Sequence, residues 1–300
     1  MWNSRGERFR RLGRNCQWQS ALVGDADPLR TVGTTICFIN QKGGCGKSSS
    51  CFHLAGAFAQ AGMRVLLIDA DPQGSLSQGF LGSQVVEGLT ADQTLAGAFD
   101  GSFEFQQPEG AILITECPLI SLVPANHCLT EFNVPHPERL GMEQFAIAQF
   151  LETISGFDIT LIDCPPNLYR CSWSALLASD YVVIPVPPED FGAQGLRVVH
   201  QAIEHAQRLN PRLELLGHVV TRIDKRLIVH RSYERRLRDI YGATVLRTVV
   251  PEISAFKVAL ACRRPAGLYD PSTVAARLTW ELSREILDHI HAITKEAATA

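Results

Sequence analysis

A chain of 300 residues that is 46% hydrophobic can bury a large core, and its net charge of −3 gives no global drive toward nucleic acid or membrane, so any cationic surface must be local. Its nine cysteines include no C-x-x-C pair, which reads as reduced, cytosolic thiols and argues against a disulfide framework. No apolar run approaches the roughly 18 residues of a membrane span, and the N-terminus lacks the apolar core of a secretory signal.

Residues 1–32 carry Arg5, Arg8, Arg10, Arg11, Arg14 and Arg30 against Glu7, Asp25 and Asp27, without apolar periodicity, and read as a basic, flexible N-terminal arm. Residues 33–297 read as one domain. The apolar run 36–39 predicts a buried strand, and a helix is expected over 51–61 with Gly62 placed to stop it. Between them stands Lys42-Gly43-Gly44-Cys45-Gly46-Lys47-Ser48-Ser49. Strand, glycine-rich turn and helix start, in that order, make a phosphate-binding loop. The glycines let backbone N–H groups converge on an anion, and the helix N-terminus adds its partial positive charge. Lys47 is then expected to neutralise the outer phosphates and Ser48 to ligate Mg²⁺. The common pattern G-x-x-x-x-G-K-[ST] places its first glycine at position 41, where this chain has Gln41, and a second lysine, Lys42, stands inside the loop.

The run 65–68 predicts a parallel strand covered on both faces, ending in Asp69-Ala70-Asp71-Pro72-Gln73-Gly74. Its carboxylates fall at the edge where open α/β sheets bind ligands. Residues 75–110 are rich in Gly, Ser and Gln and are expected to wrap the surface, with one short helix over 90–99. Runs 112–115 and 119–123 predict a strand pair, and apolar spacing over 137–155 predicts one amphipathic helix. His127, Cys128 and His136 lack the paired spacing of a metal site. A strand over 157–162 ends in Asp163-Cys164-Pro165-Pro166, a carboxylate suited to holding Mg²⁺ through water before a proline-forced turn. Further strands are expected at 181–186, 213–221 and 244–250, with a helix reaching about residue 209 and a closing helix over 274–293. Alternating strands and helices imply an α/β fold, a predominantly parallel twisted sheet with helices on both faces.

Together, the loop 42–49, Asp69 to Gly74, Asp163 to Pro166, Ile184-Pro185-Val186 with Gly195, Thr221 to Arg226, Val250-Pro251 and Leu268 to Pro271 resemble the ParA/Soj-type ATPases, the deviant Walker A members of the ParA/MinD class of P-loop NTPases. The resemblance spans nearly all of residues 33–290 and implies a three-layer α/β/α fold with ATP and Mg²⁺ as ligands. It assigns Asp71 to aligning the attacking water, places Asp69 near the Mg²⁺ shell beside Ser48 and Asp163, and makes Lys42 a residue that reaches the phosphates of a second subunit. It implies an ATP-dependent homodimer that hydrolyses ATP slowly until a small ParB-like or cargo-adaptor protein accelerates it. The protein would be cytoplasmic and nucleoid-associated, distributing a plasmid, a chromosome origin or an organelle such as a carboxysome. Adenine contacts are expected from the turns that hold Arg222, Asp224 and Pro251.

Between residues 222 and 264, eleven Lys and Arg stand against four Asp and Glu, a surplus of seven in a chain whose total is −3. That asymmetry suits sequence-independent contact with a phosphate backbone, with Arg226, Arg231, Arg235, Lys257 and Arg263 as candidates. Ala255 occupies a position where the family often carries a DNA-gripping arginine. A MinD-like membrane protein is the alternative, but residues 288–300 have one cation, Lys295, and no bulky apolar stripe. An iron-protein-type cluster carrier would want a C-x-x-C pair, and a small-molecule ligase of the dethiobiotin synthetase kind would not call for Asp-Pro-Gln-Gly or the basic segment.

Overall fold

The computed structural model describes residues 33–101, 108–188 and 193–299, so the expected N-terminal arm lies outside the described residues. A seven-stranded sheet runs through it: β1 (Thr34–Phe38), β2 (Val65–Asp69), β3 (Leu113–Ile114), β4 (Ile120–Val123), β5 (Ile159–Asp163), β6 (Tyr181–Val186) and β7 (Glu214–Val220). Its order is β3-β4-β2-β5-β1-β6-β7, parallel throughout except for the β3–β4 pair. The inner strands read ITLID and VLLID, buried at every position, as strands covered on both faces must be.

Alternation along each strand splits the core in two. Ile36 and Phe38 face a layer made by α1 (Lys47–Gln60) and a long C-terminal helix, with Phe52, Phe58, Leu282 and Ile286. Cys37 and Ile39 face the opposite layer, with Phe150, Leu176, Val199 and Ile203. β1 leaves toward β2 on one side and is flanked by β6 on the other, so the order reverses beside it. In such sheets that reversal opens a crevice at the carboxyl edge. Register then fixes what stands there: Phe38 pairs with Asp163, and Asp163 pairs with Asp69.

Four stretches depart from the sequence expectation. Residues 75–99 do more than wrap the surface: α2 (Ser75–Leu81), α3 (Ser83–Glu87) and α4 (Ala96–Phe99) bury Leu76, Phe80, Val86, Leu95 and Ala96, and the helix expected over 90–99 is split between a 3₁₀ turn and α4. The helix expected over 137–155 is regular only as α5 (Ala146–Thr153), because His136 and Gly141 adopt φ of 58° and 57° and break the preceding turns. Between β5 and β6 lies α6 (Arg170–Ala178), which the sequence reading left unassigned. Helix α7 (Ala193–Gln207) follows β6 as expected.

The fourth departure is at 244–250, which forms only an isolated parallel bridge, His218 to Val245, instead of a strand. The β6–β7 register jumps between Val182 and Val183 in a bulge that bends the edge, and Thr244 passes so close that a Cβ on Gly217 would lie 2.6 Å from its carbonyl. Side chains satisfy the freed backbone. From α8 (Ile228–Tyr241), Arg238 donates to the carbonyls of Val245 and Leu246 at 3.1 and 3.0 Å. Beyond α9 (Ser254–Ala261) and α10 (Ala266–Tyr269), helix α11 (Val274–Thr299) supplies Glu285, which accepts from the N–H groups of Arg247 and Thr248 at 2.6 and 2.8 Å.

Burial raises the Glu285 carboxyl, but the donors on Arg247 and Thr248 together hold it below its ordinary 4.5 in the folded chain. That stabilisation is complete above pH 4.5 and is lost as pH falls through the folded value. Glu285→Ala is therefore expected to cost about 2 kcal/mol in urea unfolding at pH 7, with the difference from the parent chain shrinking below pH 4.5.

Candidate active site

The loop between β1 and α1 is shaped by backbone first. Gly44 and Gly46 take φ of 70° and 95°, left-handed values that strain any other residue. Gly46 is the N-cap of α1 and no side chain caps that helix, which leaves its first N–H groups for an anion. The loop's carbonyls are claimed from outside. Thr221 Oγ1 donates to Cys45 O at 2.7 Å, and Arg222, itself at φ 54°, donates through Nη1 to Gly44 O at 2.9 Å.

Lys47 is buried and folded back over the loop, its Nζ donating to Asn40 O at 3.1 Å and Lys42 O at 3.2 Å. Asn40 went unnoticed in the sequence. Its Nδ2 donates to Pro185 O at 2.7 Å, tying the loop to β6, and its Oδ1 accepts from Lys42 N at 3.0 Å. A polar residue closing an apolar strand was the signal for it. Lys42 borders a cavity of about 220 Å³ formed with Val186, Pro187, Leu196 and Tyr233. Cys45 is buried, and burial pushes its thiol up despite the opposing charge of Lys47, so it packs as a neutral group.

Asp69 and Asp163 are fully buried side by side. Asp69 is committed: Oδ2 accepts from Ser77 N at 2.8 Å and Ser77 Oγ at 2.7 Å, and Oδ1 accepts from Asp71 N at 3.1 Å. Burial raises it to about 7 against the pull of the Ser77 donors. Among the described residues, neither carboxylate oxygen of Asp163 finds a hydrogen-bond partner. Burial, then the charge of Asp69, drives Asp163 far up, while the Ser48 hydroxyl stands close enough to draw it down without a formed hydrogen bond. Unpartnered buried oxygens next to a helix-start hydroxyl suit a hard divalent cation, so Ser48 and Asp163 fit Mg²⁺. Asp69 orients the 70–77 turn with the same oxygens that the expectation gave to the metal shell. Asp71 is buried at the cavity wall, its Oδ1 accepting from Gln73 N at 3.0 Å.

A cavity of about 530 Å³ joins Gly43 to Ser49, Asp71, Arg222 and Pro251. Asp224 is not part of its wall; its carboxylate grips Arg226 at 2.7 Å. Lys257 borders that wall, pairs with Glu252 at 2.9 Å and keeps an exposed side chain. Arg231 and Arg235 are exposed on α8, and Arg263, at φ 53°, lies against Gly82 between α2 and α3. Among the described residues, no helix is long and apolar enough to cross a membrane.

A family model described as an AAA domain matches residues 33–215. The chromosome partitioning protein ParA of Caulobacter vibrioides is 31% identical over 266 residues, covering 87% of this chain and 95% of that one. The chromosome-partitioning ATPase Soj of Treponema pallidum is 31% identical over 257 residues, covering 85% and 98%. Among solved structures, the cobyrinic acid a,c-diamide synthase of Mycobacterium smegmatis, with a bound ATP analogue and magnesium, is 26% identical with a TM-score of 0.70 over 86% of this chain and 96% of that one. McdA of Cyanothece, in complex with ATP, shares the fold at 20% identity, with a TM-score of 0.72 over 85% and 96% of the two chains.

Thr221→Val keeps the shape, removes one loop hydrogen bond and leaves the buried Cys45 carbonyl without that donor, so it is expected to lower stability in urea unfolding by about 1 kcal/mol and, through the loosened loop, to weaken affinity for a nucleoside triphosphate measured by calorimetry.

Proposed function

The chain belongs to the ParA/Soj family of partitioning ATPases, and from that premise we propose that it is an ATP-switched homodimer that holds DNA nonspecifically and distributes a cargo, with hydrolysis accelerated by a partner protein. ATP and Mg²⁺ are its ligands. One observation carries the reading: a buried lysine, an uncapped helix start and an unpartnered buried carboxylate meet at one loop.

In this proposal the loop N–H groups and the start of α1 take the phosphates. Lys47 exchanges its two carbonyl partners for phosphate oxygens, so its charge arrives where negative charge accumulates. Ser48 and Asp163 would hold Mg²⁺, which supplies further neutralisation of that charge. Asp71, held by Gln73 N–H, orients water toward the terminal phosphate. Lys42 serves the partner's phosphates in the manner of a finger supplied in trans, which makes each site incomplete in a single subunit. Nucleotide state thereby becomes dimer state. The exposed arginines of α8 supply the phosphate-backbone contact, which has no means of reading bases and is set by salt. The cargo-triggering partner is of the ParB or adaptor kind, and the protein works in the cytoplasm on the nucleoid.

Two measurements test this. Lys42→Ala should abolish hydrolysis and ATP-dependent dimerisation while ATP still binds, whereas Lys47→Ala should impair binding itself; turnover that survives Lys42→Ala removes the trans role. DNA retention should appear with ATP and a nonhydrolysable analogue and vanish with ADP. Arg231→Ala and Arg235→Ala should each flatten the salt dependence by about one unit of slope. Retention that ignores the nucleotide defeats the switch.

A further inference from the structure

The turn that leads into α8 carries an apolar cluster that neither the core nor the nucleotide cavity uses. Leu227, Ile228 and Val229 follow one another and are 45%, 72% and 65% exposed. The turn that presents them is held in place. Asp224 Oδ1 accepts from Arg226 N at 3.0 Å, Leu227 N donates to Asp224 O at 3.1 Å, and Asp224 N donates to His230 Nδ1 at 2.9 Å, which ties the turn to the start of the helix. Behind it, Tyr233 and Leu237 are buried and fix α8 on the core. The backbone therefore keeps three aliphatic side chains in water, and each gains free energy if a partner covers it.

The charges around the cluster select that partner. Lys225 precedes it, and Arg231 and Arg235 follow it on the exposed side of α8. Asp224, the carboxylate next to it in sequence, is paired with Arg226 at 2.7 Å. A second copy meeting this face across a two-fold axis would set arginine against arginine, which leaves a polyanion as the cover. An anionic bilayer fits poorly. Interfacial helices present a long apolar face with exposed rings, whereas here the aliphatic residues fill one turn and both tyrosines of α8 point inward, Tyr233 buried and Tyr241 stacked on His200. Duplex DNA fits both parts of the ridge. Its minor groove, about 6 Å wide, is rimmed by phosphates and admits side chains but not a helix. Leu and Ile act there as wedges between base steps.

We propose that Ile228, with Leu227 and Val229 at its sides, is a wedge that enters the minor groove of DNA and bends the duplex, while Arg231 and Arg235 hold the flanking phosphates. The inference rests on the DNA reading above and adds to it an apolar contact that salt does not screen. The wedge reads no base. Unstacking costs least at flexible pyrimidine–purine steps, so binding favours deformable DNA without a fixed sequence.

The test titrates a short duplex, labelled with a fluorophore at each end, with the full chain, Mg²⁺ and a nonhydrolysable ATP analogue at several salt concentrations. ATP-dependent dimerisation and flotation with phosphatidylglycerol–phosphatidylcholine vesicles are measured in parallel. The parent chain should shorten the end-to-end distance of the duplex. The double variant Ile228→Ser with Val229→Ser should bind about tenfold more weakly at every salt concentration, with the salt slope unchanged and the shortening lost. Affinity and end-to-end distance equal to those of the parent chain overturn the proposal. So does a loss of affinity that comes with a smaller salt slope, because the segment would then belong to the arginine contact. A variant that no longer dimerises shows that a second copy covers the cluster, and one that loses only vesicle binding shows that a membrane does; either overturns it. A parent chain that binds DNA without shortening it refutes the wedge alone, whereas one that retains no DNA in any nucleotide state refutes the DNA reading itself.

Discussion

Two carboxylates with no exposed surface stand next to each other at the ends of β2 and β5, and much of the site follows from how that pair is accommodated. Like charges in a low-dielectric interior do not coexist without compensation. Asp69 receives it from protein: three donors from Ser77 and Asp71 fill its oxygens, and in doing so they pin the turn that carries Asp71 and start α2. Asp163 receives none from hydrogen bonds of the described residues, although Lys47 and Ser48 stand close by. A buried carboxylate with both oxygens left without a donor marks a place for something the polypeptide does not provide. Because β1 pairs with β5 through Phe38 and Asp163, that place lies directly below the loop that leads into α1.

The loop is organised by where its carbonyls point. Gly44 and Cys45 direct theirs outward to Arg222 and Thr221, while Asn40 and Lys42 direct theirs to Lys47. A peptide whose C=O is held on one side presents its N–H to the other, so the outer hydrogen bonds aim N–H groups into the cavity. The residues that do this come from the end of β1, the end of β7 and α1, and the sheet brings Thr221 and Arg222 to the loop across 176 and 178 positions of sequence. In the proposed mechanism Lys47 changes partners on ligand binding: the two carbonyls that hold it keep a buried ammonium satisfied until phosphate replaces them.

What the sequence disclosed depended on the range over which each feature is determined. The phosphate loop, Asp163 at a strand end and the paired strands at 113–123 are local patterns, and they were legible. The expected strand at 244–250 was not formed, because its apolar run encodes burial but not pairing; a bulge at Gly217 and two distant side chains, Arg238 and Glu285, decide where its backbone polar groups go. The surroundings of Asp224 and Lys257 were hidden for the same reason. Their spacing from the strands was readable, whereas their ion pairs, one with Arg226 and the other with Glu252, turn one away from the cavity and the other into its wall. The commitment of Asp69 to Ser77 likewise depends on α2, which a Gly- and Ser-rich stretch concealed.

The same ion pairs alter what the basic segment means. Of the eleven cations between residues 222 and 264, at least five are paired with carboxylates: Arg222 and Lys257 with Glu252, Arg226 with Asp224, Arg238 with Glu234 and Arg247 with Glu285. A paired charge still contributes to the far field, but much of it is cancelled at contact distance, where a phosphate backbone is gripped. Arg231 and Arg235, without an ion pair among the described residues, lie one helical turn apart on α8, so they share one face. A surplus spread over more than forty residues in sequence thus becomes, in space, a short ridge on α8 and a separate charged cluster at the nucleotide cavity. The proposed grip on DNA and the charged cluster at the cavity rest on different members of one basic segment, so the first can be altered without the second.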